Sequence, residues 1–162
     1  MSRRRPRRRR PSGIARGKRF VVLASEFNRP LTDALVRGAL RALERHGAAA
    51  ARIRTVWVPG AFELPVVAAC AVKARPRPDA VIALGVLIRG ETAQYEVIAH
   101  AVAQGLGQVS VTTGVPVTFG VIVAETPAQA RARAGGARGN RGEDAALAAL
   151  SVLQLFGRLR SS

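Results

Sequence analysis

Apolar residues follow two rhythms along this chain. Short continuous runs, rich in β-branched residues, alternate with longer stretches in which apolar positions recur every three or four residues. The first rhythm suits strands buried on both faces, and the second suits amphipathic helices. Phe20 to Ala24 reads as a strand. Pro30 fits a first helical turn, and Leu31, Leu35, Ala39 and Leu43 keep one stripe that ends at His46-Gly47. Ile53 to Val58 is a second strand, stopped by Pro59-Gly60. Leu64 to Lys73 is a short helix before a turn at Pro76 and Pro78. Ala80 to Leu87 is a third strand, and Thr92 to Thr113 is a long helix closed by Gly114 and Pro116. Val117 to Val123 is a fourth strand. Thr126-Pro127-Ala128-Gln129 forms a capping box ahead of another helix. Gly135 to Gly142 reads as a flexible loop, and Asp144 to Leu159 as the final helix.

Strands alternating with helices predict an α/β protein, a central parallel four-stranded sheet covered by helices on both faces. In such sheets ligands sit beyond the carboxyl ends of the strands. Four segments should therefore converge on one rim: Ser25-Glu26-Phe27-Asn28, Pro59 to Glu63, Arg89-Gly90-Glu91-Thr92, and Ala124-Glu125-Thr126.

Composition narrows the class. The chain has 162 residues, 48% of them hydrophobic, which suits one domain with a real core. Aromatic residues make up only 4%, so that core must be aliphatic. The single cysteine, Cys70, excludes an internal disulfide and a cysteine metal cluster, and reads as a small buried side chain. No apolar stretch reaches the ~18 residues of a membrane span. No apolar segment of the secretory type follows the basic start, so a cytoplasmic protein is expected.

The formal charge of +16 is unevenly spread. Ten basic residues precede the first strand, and without them 16 basic residues face 10 acidic ones, a net of +6. Residues 1–18 therefore read as a disordered Arg-rich tail, and residues 19–162 as the domain. The tail is either an arm for nucleic acid or another polyanion, or a solvated extension without a dedicated partner.

The rim segments hold no His-rich metal-ligand spacing, no nucleophile elbow and no nucleotide-binding glycine motif. They hold glycines, backbone amides and phenylalanines. From Val81 to Glu96 an apolar strand meets a tight turn and then a helix start, which aims free N–H groups at an anion such as phosphate. Phe27 and Phe62 follow strands, and Phe119 lies in one. Together they suggest a platform for a flat heterocycle, with ordinary core packing as the alternative for each.

Taken together, five segments in register resemble one family, the 6,7-dimethyl-8-ribityllumazine synthases of riboflavin biosynthesis. They are Ser25 to Asn28; Val58 to Pro65; Ala83-Leu84-Gly85 with Ile88 to Thr92; Gly114 to Val117 with Phe119-Gly120; and Gly139-Asn140-Arg141-Gly142. The resemblance covers about residues 18–156 and implies a flavodoxin-like three-layer α/β/α sandwich. It implies a transferase that condenses a ribitylamino-pyrimidinedione with 3,4-dihydroxy-2-butanone 4-phosphate, without cofactor. It also implies a homopentamer with sites between subunits.

By that resemblance Phe27 stacks on the ring beside Asn28, and Gly60, Ala61, Phe62 and Glu63 hold the pyrimidine and ribityl chain. Leu87 and Ile88 line the site. Glu91 and Thr92 offer donors to the phosphate, and Arg133 is its arginine. Phe119 reaches in from the adjacent subunit. Arg141 stands where the family usually carries lysine, and Asp144 where an acid partners the catalytic histidine. Read without the family, Arg133 belongs to a solvated helix face, Glu63 caps the following helix, and Asp144 is an acid favoured in a first helical turn.

Besides Arg141, two positions depart from the family. Gln94 stands where the histidine belongs, and a carboxamide hydrogen-bonds but does not shuttle protons near neutral pH. Only His46 and His100 exist. His46 closes a helix, at a position expected on the surface. His100 lies about 240° round the helix from Gln94, so only a neighbouring subunit's copy could compensate. The expectation is a working but slower synthase. The alternative is a catalytically degenerate paralogue serving as a shell protein or as a flavin or nucleic-acid binder. Ala137 stands where the family often has lysine. The loop around it carries no insertion, which is compatible with an icosahedral shell of sixty subunits.

Overall fold

In the computed structural model, which describes residues 13–162, the apolar runs become strands. β1 spans Phe20–Ser25, β2 Ile53–Val58, β3 Ala80–Ile88 and β4 Val117–Ala124. All three pairings are parallel, in the spatial order β2-β1-β3-β4. The inner strands carry the unbroken apolar runs: β1 is buried throughout, and β3 is buried from Ala80 to Val86. The edge strands keep exposed positions such as Arg54, Phe119 and Val123.

Five helices cover the two faces: α1 (Arg29–Arg45), α2 (Leu64–Ala71), α3 (Gln94–Thr113), α4 (Pro127–Arg133) and α5 (Arg141–Arg160). Side chains alternate across a strand, so β1 feeds two separate cores. Val22 and Ala24 pack with Leu35, Leu43, Ala146 and Leu150 from α1 and α5. Val21 and Leu23 pack with Leu64, Ala68, Val102 and Leu106 from α2 and α3. The result is the three-layer α/β/α sandwich that the alternation predicted.

The structure corrects several expectations. Part of the segment read as a disordered tail is folded. Gly13–Ala15 forms a helical turn, Ala15 is fully buried, and its N–H donates to His46 O at 3.0 Å. Ile14 and Ala15 supply enough apolar surface to dock. Residues 1–12, with the polyanion reading attached to them, lie outside the described residues. His46, expected at the surface, is 5% exposed beneath that docked turn. Cys70, expected to be buried, is exposed near the end of α2.

The loop of residues 135–142 contains a short hairpin with a register shift between Ala134 and Gly136. β5 (Ala134–Gly136) pairs antiparallel with β6 (Gly139–Asn140), and α5 starts at Arg141, three residues before the expected Asp144. The helix starts early because of its cap: Asn140 Oδ1 accepts from the N–H groups of Gly142 (2.8 Å) and Glu143 (3.1 Å). The α3 helix starts later than expected, at Gln94 instead of Thr92. Its N-cap is Ala93, whose methyl group makes no cap bond.

Candidate active site

Parallel pairing brings the carboxyl end of every strand to one side of the sheet, so the four post-strand segments meet there. Backbone bonds stitch them across strands. Glu26 N–H donates to Val58 O at 2.8 Å, and Arg89 N–H donates to Ala124 O at 2.9 Å. Gly85 lies where the segments crowd together. A Cβ there would sit 3.0 Å from Ser25 Oγ and 3.6 Å from Ala61 Cβ.

The turn after β1 carries Phe27 and Asn28. Asn28 adopts φ 59°, ψ 42°, the one positive φ outside glycine among the described residues. Asparagine tolerates this left-handed conformation better than most side chains. Its Nδ2 donates to Val86 O of β3 at 3.0 Å, and Thr32 Oγ1 donates to Phe27 O at 3.3 Å. The backbone is thus tied down while the Phe27 ring stays 72% exposed, which excludes a core-packing role within this chain.

After β2, a helical turn over Ala61–Glu63 leads into α2. Phe62 is also exposed. Glu63 stands at the N-cap of α2, but its carboxylate makes no cap bond. It folds back over Gly60, where a Cβ would lie 2.9 Å from Oε2. The capping role open to Glu63 from sequence is therefore not the one it takes.

After β3, Leu87 and Ile88 are half-buried. Glu91 and Thr92 lie in the loop ahead of α3. The N–H groups of Glu96 and Val97 both turn to Ala93 O, at 3.1 and 3.4 Å. Among the described residues no backbone acceptor takes the N–H of Gln94 or Tyr95. The same holds for the N–H groups of Glu91, Thr92 and Ala93, so the open donors run from the loop into the first turn of α3. The Gln94 side chain is exposed.

Sequence reasoning missed Tyr95. Its ring is buried, and its hydroxyl donates to Glu96 Oε1 at 3.0 Å. Burial, then the Glu96 hydrogen bond and charge, push the phenol above its ordinary value; Arg89 opposes this and Glu125 adds to it. Tyr95 is consequently a neutral donor at physiological pH.

After β4, the expected capping box forms. Gln129 N–H donates to Thr126 Oγ1 at 3.2 Å, and Glu125 N–H donates to Gln129 Oε1 at 2.9 Å. That start leads through α4 to Arg133, its last residue, which is exposed. Arg141 and Asp144 occupy the first turn of α5, with Nη1 and Oδ2 3.9 Å apart. Burial raises the Asp144 carboxyl above the usual aspartate range. Arg141 opposes that shift, Glu143 adds to it, and Arg133 opposes it. Arg133, Arg141 and Asp144 thus share one electrostatic neighbourhood.

Phe119 stands apart from this rim. It pairs with Ala83 in mid-strand, whereas the strands end at Ile88 and Ala124. Five residues of strand put it about 16 Å short of the carboxyl end. It lies 39% exposed on edge strand β4. Among the described residues no group of three His, Cys, Asp or Glu side chains is placed to hold a metal.

Asn140, part of the Gly139 to Gly142 segment, has a structural role that sequence reasoning missed. Besides capping α5, its Nδ2 donates to Ala34 O of α1 at 2.9 Å. Gly38 leaves room for that carboxamide, and any Cβ on Gly142 would collide with Leu35 O. The signal was present: an asparagine three residues before Glu143 has the spacing of a capping box.

The sequence model of the 6,7-dimethyl-8-ribityllumazine synthase family matches residues 17–157. A protein of that name from Gemmatimonas aurantiaca is 49% identical over 142 residues, 88% of this chain and 86% of the relative. The Aquifex aeolicus protein of that name is 47% identical over 146 residues, covering 90% of this chain and 94% of the relative. The one from Thermus thermophilus is 42% identical over 146 residues, 90% and 92% of the two chains. With its four-stranded parallel sheet and rim of backbone donors, this chain belongs to the 6,7-dimethyl-8-ribityllumazine synthase family, transferases of riboflavin biosynthesis.

Proposed function

We propose that the chain condenses 5-amino-6-ribitylamino-pyrimidinedione with 3,4-dihydroxy-2-butanone 4-phosphate, giving 6,7-dimethyl-8-ribityllumazine with loss of phosphate and water. The observation that carries this reading is the pairing of an exposed Phe27 ring with an open α3 N-terminus on one rim. One suits a flat heterocycle and the other suits a phosphate.

Phe27 and Asn28 form the ring platform. The turn of Gly60, Ala61, Phe62 and Glu63 faces the ribityl hydroxyls, with Leu87 and Ile88 as the apolar wall. The amides around Glu91, Thr92 and Gln94, together with Arg133, take the phosphate. Arg141 lies near the pyrimidine, and Asp144 is the acid beside the proton-transfer position. Gln94 orients substrate by hydrogen bonds but does not relay protons, so water and substrate groups carry them. Holding amine against carbonyl still supplies a large rate effect, and the missing shuttle slows turnover by about 10²–10⁴-fold.

Phe62, Val66, Val97, Val111 and Phe119 expose apolar surface in the single chain, which supports a homo-oligomer, read here as a pentamer in which Phe119 completes a neighbour's site. An icosahedral shell of such pentamers, a cytoplasmic location and polyanion binding by the Arg-rich tail complete the reading. A steady-state assay with both substrates, run beside Gln94→His, tests the activity. Turnover at background level in both proteins would reject it. Light scattering tests the assembly.

A further inference from the structure

The turn that carries Phe27 is fixed from a direction that substrate chemistry does not explain. Arg29, the first residue of α1, places its guanidinium carbon 3.4 Å from the centre of the Trp57 ring. Its Nε meets Asp33 Oδ1 at 3.2 Å, one helical turn on. A cation at the first helical position faces the positive end of the helix dipole, which disfavours it. No acid occupies the first turn of α1 to offset this. The arginine is thus held against its local preference, by the indole face and by Asp33.

Trp57 is the chain's one tryptophan. It sits on edge strand β2 beside Ala24, half-buried against the core beneath α1 and α5. The segment Phe27–Arg29 is therefore anchored at three points. Asn28 bonds Val86 on β3, Thr32 bonds Phe27 O from α1, and Arg29 stacks on Trp57 of β2. Between them lies the left-handed Asn28, a conformation that persists only where its surroundings enforce it.

We infer that Arg29 and Trp57 are positioning residues for Phe27, setting the affinity for the ring substrate through the shape of the β1–α1 turn. The inference rests on the reading of Phe27 as the ring platform. Neither residue touches reacting atoms. Both lie on the ring-binding side of the rim, so the phosphate side is independent of them.

The test uses the full-length protein and four forms: parent, Trp57→Leu, Trp57→Phe and Arg29→Ala. Amide hydrogen exchange without ligand reads the turn itself. Titrations with the ribitylamino-pyrimidinedione and, separately, with inorganic phosphate read the two half-sites. Trp57→Leu and Arg29→Ala should speed exchange at residues 26–29 and weaken pyrimidinedione binding about fivefold, with phosphate affinity kept within about twofold. Trp57→Phe retains an aromatic face and should restore most of the loss. Arg29→Ala leaves the indole in place, so its emission should shift to the red as water reaches the ring. Unchanged exchange at residues 26–29 in both disruptive variants overturns the inference, as does an equal loss of both ligands. If the parent itself fails to bind the pyrimidinedione, the proposed function falls, and the exchange comparison alone still decides whether the stack fixes the turn.

Discussion

Asn140 reaches from the start of α5 to the carbonyl of Ala34 in the second turn of α1, a bond of 2.9 Å between residues far apart in sequence. The same side chain caps α5 through the amides of Gly142 and Glu143. One carboxamide therefore fixes where α5 begins and how it lies on α1. That placement sets Arg141 and Asp144, which follow within one turn. An exposed link between Arg45 and Glu143, 2.6 Å long, supports the same junction, although exposed pairs contribute little.

Removing that carboxamide should be costly. Asn140→Ala loses a helix cap and the inter-helix bond to the half-buried Ala34 carbonyl, which together destabilise by about 2 kcal/mol. Asn140→Asp keeps the capping oxygen but not the donor, so it should fall between parent and alanine. Urea unfolding of the three proteins checks the order. Equal midpoints would show that the junction is held by packing alone.

Restoring an imidazole at position 94 should accelerate turnover. Gln94→His is expected to raise kcat by about 10²–10⁴-fold while both KM values stay close to the parent's. The gain should grow as pH climbs through about 6.5, where a histidine becomes a base. A kcat unchanged across that range would mean that proton transfer at this position does not limit the reaction.

Arg133→Ala separates the half-sites from the phosphate side. Loss of a charge-assisted bond should raise KM for the butanone phosphate by about 10–100-fold and weaken inorganic phosphate similarly. Pyrimidinedione affinity should hold. Joint loss of both would place Arg133 in the structure of the rim and not at the anion.

The raised carboxyl of Asp144 has a defined consequence for stability. Its folded form binds the proton more tightly than the unfolded chain does, chiefly through burial. Between the ordinary aspartate value and the raised one, the unfolded state therefore holds fewer protons. Stability contributed by this group is lost as pH rises through that window. Asp144→Asn should flatten the loss and gain stability relative to the parent toward neutral pH. Denaturation series across the acid range measure it, and parallel curves for the two proteins would contradict the assignment.

Much of the fold was legible because it depends on local patterns. The strands at Phe20, Ile53, Ala80 and Val117, and the capping box at Thr126, lie where apolar runs and cap residues put them. The errors came where contacts distant in sequence decide. Ala15 docks into a core built from distant elements and donates its N–H to His46 O, so Gly13 to Lys18 could not be told from a basic tail. The Gly135 to Asn140 stretch looked flexible because its glycines hide a hairpin that Asn140 and α1 lock in place.

The sequence by itself determined the layers, the rim to which the post-strand segments must come, and the absence of a histidine at position 94. Periodicity, glycine and proline positions and residue identity suffice for these, since none requires knowing a partner. The tertiary structure decided the rest. It started α3 at Gln94, turned Glu63 back over Gly60, left Phe119 off its own rim, and stacked Arg29 on Trp57. Each of these depends on which atoms meet across separate elements, and spacing along a chain does not encode that distance.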